Sequence, residues 1–243
     1  MTTEITIALQ LLLAHVVTDF LLQSKKWIKQ KRKQKTKSAF LYIHALTAGV
    51  LTYVFIQDWS GWQIPLCIAV THFFIDVWKL NQPKNSLKYF LWDQLFHLLV
   101  LLGAWLYLTN SADLVLPFLS SFFTSEKALV LITGYLVVIF PIGFIIGMAT
   151  QHWQDEISKE DDATSLKKAG RYIGIFERIL VLTFILTNNF SAIGFLIAAK
   201  SILRFSDKSK SGARKQTEYV LIGTLMSFAL TIIIGILMRV LVF

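Results

Sequence analysis

The chain has 243 residues, of which 55% are hydrophobic and only 16% charged, with a net charge of +9. A soluble domain carries about a quarter charged residues, so the composition argues against a cytosolic globular fold, and no polar stretch is long enough for a separate soluble domain. In a soluble protein the positive balance would point to nucleic acid; here the uneven spread of lysine and arginine between loops accounts for it, and no nucleic-acid partner is expected.

At about 20 residues per bilayer crossing, eight apolar spans are predicted over residues 4–24, 38–56, 63–80, 87–109, 126–150, 171–188, 190–205 and 217–241. The opening "MTTEI" lacks the basic start of a secretory signal, so the first span is expected to stay in the mature chain. The loop after it, "SKKWIKQKRKQKTK", carries eight lysines and arginines. Lys79, Lys84 and Lys88 flank the turn between spans 3 and 4. Lys159, Lys167, Lys168 and Arg171 follow span 5, and Arg204, Lys208, Lys210, Arg214 and Lys215 follow span 7. The opposite loops hold almost none: "QDWSGWQ" has no basic residue and "NSADLVLPFLSSFFTSE" is followed only by Lys127. The basic loops therefore belong in the cytoplasm and both termini outside. Trp59 and Trp62 read as outer interfacial anchors. Cys67 is the only cysteine, which rules out an intrachain disulfide and suggests a packing role.

Between spans 4 and 5, "LVLPFLSSFF" is too short to cross and reads as an interfacial or re-entrant piece on the outer face. The longest polar loop, "QHWQDEISKEDDATSLKKAG", holds His152 at the surface and joins two halves. The expected fold class is an all-α integral membrane protein of about eight transmembrane helices in two four-helix bundles. Residues 1–110 form a His/Asp-bearing bundle, 111–125 an outer interfacial segment, and 126–243 a second bundle with a charged pocket on its cytoplasmic side.

Polar residues in the first four spans fall at one depth. Span 1 carries His15 and Asp19, one helical turn or roughly 6 Å apart on the same face. Span 3 runs the same way with His72 and Asp76. Span 4 runs oppositely, and its order is reversed: Asp93, then His97. Span 2 adds His44. Asp19, Asp76 and Asp93 thus form one layer, and His15, His72 and His97 a deeper one, with His44 beside them. All lie within roughly 5–15 Å of the cytoplasmic boundary at 1.5 Å per residue. "HVVTDFLLQSKKW" and "HFFIDVWKLNQPK" make a weak internal repeat, in which Phe40 stands where a partner for Asp93 is expected.

A single membrane histidine is more often a packed helix contact. Three aspartates are different, since each costs roughly 2.5–3.5 kcal/mol on insertion scales; Lys79 is the nearest cation. A divalent metal would neutralise the carboxylates, with imidazoles completing its shell. Zinc leads as the cofactor, and manganese and iron also fit. The ligand candidates are His15, Asp19, His44, His72, Asp76, Asp93 and His97, enough for two metals or for one with supporting Asp–His pairs. Hydrolysis is the leading chemistry: a bound metal lowers the pKa of its water to roughly 7, with Asp93 the expected catalytic base and Gln23 and Gln94 orienting substrate. A membrane lipid, or another phosphorylated or ester substrate, would reach the site from the cytoplasmic leaflet. Bis-histidine haem is a rival that the aspartates argue against. A transporter or sensor is another, weakened by the lack of a polar ladder to the outside.

In the second half, Glu177 and Arg178 lie on span 6, Lys200 and Arg204 on span 7, and Glu218 on span 8. One reading is an ion-pair network, Glu177 with Lys200 and Arg178 with Glu218. The other is a substrate pocket in which Arg178, Lys200 and Arg204 hold a phosphate while Glu177 and Glu218 orient them.

"LLLAHVVTDFLLQ", "THFFIDVWK" and "FLWDQLFH", with "RYIGIFERILVLTFILTNNFSAIGFLIAAKSILRF" and "EYVLIGTLMSF", resemble a bacterial membrane family catalogued as domain of unknown function 3307 over nearly the whole chain. That resemblance implies a multi-pass protein of the bacterial cytoplasmic membrane and supplies no activity. The His–Asp pairs of spans 1–4 are also similar to those of the inner-membrane metal-dependent hydrolases. This second likeness implies metal or catalytic roles for His15, Asp19, His44, His72, Asp76, Asp93 and His97.

Overall fold

A computed structural model describes residues 2–83, 86–153, 164–205 and 213–242; the side chains of residues 2–3, 164–168, 203–205 and 213–217 fall outside that description. Lys84, Lys159, Lys208 and Lys210 therefore lie outside the described residues, as do the side chains of Lys167, Lys168, Arg204, Arg214 and Lys215. Among the described residues every regular element is helical. The chain divides into two compact units, Met1–Pro117 and Phe118–Phe243.

The first unit holds α1 (Thr2–Val16), extended by a π-helical turn (Val17–Leu21), then α2 (Lys25–Gln34), α3 (Ala39–Ile56), α4 (Gln63–Leu80) and α5 (Leu87–Leu108). Ser24 starts α2 by accepting a hydrogen bond from Trp27 N at its Oγ, which satisfies one of the free amides of the first turn. Gln57 ends α3 in the left-handed region at φ 58°. Beyond it the Asp58 carboxylate accepts from Ser60 Oγ at 2.7 Å and from the amides of Ser60 and Gly61. The Ser60 hydroxyl, more than the amides, holds that carboxyl below the usual carboxylate range.

α3 packs on α1 and α4, and α5 packs on the same two, so the four close into a ring. Gly49 permits the close crossing of α3 and α4: a Cβ there would lie 2.8 Å from Pro65 O and 2.9 Å from Ala69 Cβ. Leu11, Ala48, Ile68, Leu101 and Ala104 form the ring's apolar core. Outside it, Leu46, Phe74 and Leu99 are exposed while four histidines are buried within. Apolar side chains outside and polar ones inside suit a lipid surround.

α6 (Val115–Thr124) spans the boundary between the units, and its leucines and phenylalanines are exposed. The second unit continues with α7 (Glu126–Ile139), α8 (Pro141–Ala149), α9 (Thr164–Leu186), α10 (Phe190–Phe205) and α11 (Ala213–Val242). The predicted continuous span over 126–150 is two helices broken at Phe140. Pro141 has no amide to continue the ladder and its ring clashes with the preceding turn. Arg178 from α9 closes the break, its Nε donating to Val138 O at 2.5 Å and its Nη2 to Ile139 O at 3.2 Å. Val138, Ile142, Leu182 and Met238 pack around it, and Gly134 makes room for the Met238 side chain.

Among the described residues, six helical stretches are long and apolar enough to cross a membrane: Glu4–Leu21, Ala39–Ile56, Gln63–Leu80, Leu87–Leu108, Glu126–Ala149 and Glu218–Val242. The chain is thus compatible with a membrane protein. The other two predicted spans fall short for separate reasons. α9 carries Arg171, Glu177 and Arg178 within its apolar stretch, and the apolar part of α10 is only Phe190–Ile202, against about 20 residues for a crossing.

Candidate metal centre

The four ring helices bring all seven predicted residues of the first unit together. His15, His44, His72, His97, Asp76 and Asp93 are buried, and the side chain of Asp19 is 8% exposed. The local backbone of Asp19 is unusual. It sits in the π-helical turn, closed by Leu22 N donating to Val17 O at 2.9 Å. Such a turn inserts an extra residue into the helix and re-aims the side chains that follow, commonly at functional sites.

Three polar atoms converge beside that turn. His72 Nε2 and His44 Nε2 are 3.0 Å apart, and Asp19 Oδ1 lies 3.3 Å from each. Asp19 Oδ1 nevertheless lacks hydrogen-bond geometry to any described group. Asp76 Oδ2 stands 3.7 Å from the same nitrogen of His44, and the Gln23 amide nitrogen is 2.8 Å from it.

Next to this group, His97 stacks on His15 with ring centroids 5.1 Å apart and approaches His72 at 4.2 Å. Its Nδ1 donates to Asp93 O at 2.9 Å, which leaves Nε2 as the unprotonated nitrogen. That Nε2 is buried and has no hydrogen-bond partner among the described residues, as is true of Asp93 Oδ1. Gln94 ties the two layers: its Oε1 is 3.2 Å from His15 Nε2, and its Nε2 donates to Asp19 Oδ2 and Asp93 Oδ2 at 3.3 and 3.1 Å. Among the described residues, three groups have ligand atoms within 4.8 Å of one another: His15–Asp19–His72, His44–His72–Asp76 and Asp19–Asp93–His97.

The aspartates have more cationic company than the sequence suggests. Lys79 pairs with Asp93 at 2.5 Å, as its proximity foretells. Lys31 pairs with Asp76 at 2.6 Å and is itself buried. Sequence reasoning missed Lys31 because it is one of eight basic residues in a segment read as a solvated loop. The available signal is the periodicity of "KKWIKQKRKQ", which places Trp27 and Lys31 on one helical face; Trp27 stacks on Phe40 at 4.9 Å. Phe40, which the repeat marked as a missing partner for Asp93, thus serves to seat α2.

Against the histidines, toward the apolar core, lies a cavity of about 10 Å³ lined by His15, His72, His97, Thr52 and Thr71 among others. Such a volume holds about one water.

In the second unit, Lys200 pairs with Glu177 at 2.7 Å. Arg178 is buried and gives donors to the Val138 and Ile139 carbonyls. Glu218 is exposed, as is His152, and the side chain of Arg204 is outside the description. The Glu177–Lys200 half of the ion-pair reading is present in the structure.

A family model described as a protein of unknown function, DUF3307, matches residues 7–130, just over half of the chain. The match takes in every His–Asp pair and stops short of Glu177, Arg178, Lys200, Arg204 and Glu218, which lie in stretches that the sequence resemblance includes. No curated protein and no solved structure matches the chain, and the likeness to the inner-membrane metal-dependent hydrolases finds no support.

Proposed function

The chain belongs to the DUF3307 family of unknown function, and we propose that it is a membrane-embedded, metal-dependent hydrolase acting at the cytoplasmic leaflet of the bacterial cytoplasmic membrane. Its substrate is a phosphate or ester, lipid included, and its metal is a divalent cation with zinc first. In this reading the chain crosses the bilayer eight times in two four-helix bundles, with both termini outside.

One observation carries the metal. Ligand atoms on one tetrahedral zinc, each about 2.0–2.1 Å from the ion, lie about 3.3 Å apart. The triangle of His44 Nε2, His72 Nε2 and Asp19 Oδ1 has sides of 3.0, 3.3 and 3.3 Å. Two imidazole nitrogens and a carboxylate oxygen at these separations, with no hydrogen-bond geometry at Asp19 Oδ1, suit a shared cation; in the metal-free chain the His44–His72 side is closed by a hydrogen bond. A cation there would lower the pKa of a bound water to about 7 and polarise a phosphoryl or carbonyl oxygen. Asp93 is the acid–base group, with Oδ1 unpartnered and Oδ2 held by Lys79 and Gln94. Arg178, Lys200, Arg204, Glu177 and Glu218 are a weaker substrate site, because Lys200 and Arg178 already spend donors inside the unit.

A second reading is favoured by the closure of the site. The ligand side chains are buried, and the cavity of about 10 Å³ beside His15, His72 and His97 admits no substrate, which suits a metal- or ligand-responsive sensor or a transporter. Elemental analysis of the purified full chain, followed by turnover of a chromogenic phosphomonoester, separates the readings. The hydrolase is expected to bind stoichiometric metal, to lose it in His72→Ala, and to keep cation but lose turnover by at least 100-fold in Asp93→Asn. Protein without metal removes both readings of the centre. Bound metal with ion flux in proteoliposomes and no turnover favours the transporter.

A further inference from the structure

We propose that the cluster is a binuclear cation centre in which Asp19 is the shared carboxylate. The first position is built by Asp19, His44, His72 and Asp76, and the second by Asp19, Asp93 and His97. The inference rests on the metal reading above and deepens it.

The second position is built from buried atoms that the protein leaves without partners. His97 Nε2 and Asp93 Oδ1 are both without a hydrogen bond among the described residues, in side chains 3% and 0% exposed. His97 is also prepared as a ligand: its Nδ1–H is spent on Asp93 O at 2.9 Å, which fixes the tautomer and turns the Nε2 lone pair inward. One ring nitrogen of His97 and one carboxylate oxygen each of Asp19 and Asp93 lie within 4.8 Å of one another. Asp19 also belongs to the first triangle through Oδ1, while its Oδ2 faces Gln94 on the Asp93 side. A carboxylate with one oxygen toward each of two ligand sets is the bridge of two-metal sites, whose ions stand about 3.5–4 Å apart.

The lysines mark the same division. Lys31 sits on Asp76 of the first position and Lys79 on Asp93 of the second, each through Oδ2. One ammonium therefore holds the place of each divalent ion. Lys79 has a way out, since its side chain is 25% exposed, whereas Lys31 is the one buried residue of α2. When two divalent cations replace the two ammoniums, the three carboxylates leave a single positive charge, which one hydroxide from water balances, its proton passing to solvent. In that state Asp93 acts on water through the cation that it holds.

The test is titration of the metal-stripped full chain with Mn²⁺, read by bound equivalents and by electron paramagnetic resonance. Two equivalents with an exchange-coupled spectrum are expected. His97→Gln and Asp93→Asn should each fall to one equivalent with an uncoupled six-line signal, and Lys79→Met should tighten the second equivalent by at least 10-fold. Saturation at one equivalent overturns the binuclear centre and leaves the proposed function standing. Two uncoupled equivalents overturn it as well, since the ions are then not neighbours. No binding at all overturns both this inference and the metal reading beneath it.

Discussion

Lys31 differs from the basic residues around it because its ammonium is buried against Asp76 rather than solvated. Removing one partner of a buried pair strands the other charge, at a cost of about 3–5 kcal/mol. Lys31→Met is therefore expected to lower the thermal midpoint of the metal-free protein markedly. Saturating zinc should restore most of that loss, because a cation at His44, His72 and Asp19 takes over the neutralisation of Asp76. Thermal unfolding in detergent with and without zinc measures both arms. A deficit that zinc leaves untouched would show that Asp76 belongs to a structural ion pair and not to the centre. The residue scale is also where the sequence was most informative. His15, Asp19, His72, Asp76, Asp93 and His97 could be placed at one depth by counting 1.5 Å per residue along antiparallel helices. Lys31 could not, because its position depends on how α2 folds back under the ring, and depth counting along spans says nothing about a segment that lies between them.

Helices act on the centre through their crossings. His44 and His72 stand on α3 and α4, which come close at Gly49, five residues beyond His44, against Pro65 and Ala69 of α4. A larger side chain there must separate the helices, and overpacking of this kind costs typically about 1–3 kcal/mol. Gly49→Leu is expected to destabilise the protein by about that amount and to weaken metal binding by at least 10-fold, since the 3.0 Å approach of the two imidazoles depends on the crossing. Calorimetric zinc titration checks the second effect. Unchanged affinity in a destabilised protein would mean that the histidines are held by something other than the helix approach. Apolar blocks and their flanking charges revealed the helices themselves. Two irregularities at this scale were not readable. The π-helical turn at Val17–Leu21 has no sequence signature of its own in "VTDFL". The break at Pro141 is marked by the proline, but its repair by Arg178 is a tertiary event. The same arginine, read along the chain, looks free to bind a phosphate.

At the scale of the whole molecule, six helical stretches among the described residues meet the length and polarity of a crossing, whereas the alternation of basic loops goes with eight. Both counts are even, so both leave the termini on one side, and the charge bias alone cannot choose between them. The difference lies entirely in α9 and α10, joined at Thr187–Asn189, where Asn188 takes the left-handed conformation that closes the hairpin. If both helices cross, this tip lies outside, opposite the basic loops. If they form a re-entrant pair, with Glu177 and Lys200 neutralising each other at 2.7 Å, the tip never leaves the membrane. The ion pair makes a full crossing affordable despite the charges, since neutralised partners avoid most of the penalty for isolated ones, roughly 2.5–3.5 kcal/mol each. The proposed reading is eight crossings. Cys67 is the sole native thiol, so a Cys67→Ser background carrying Asn189→Cys gives a clean readout with a membrane-impermeant maleimide applied to intact cells. Labelling from outside, equal to that of a control at Trp59→Cys in the outer turn, is the expected result. Protection of position 189 while position 59 is labelled would reduce the count to six and make α9 and α10 a re-entrant hairpin.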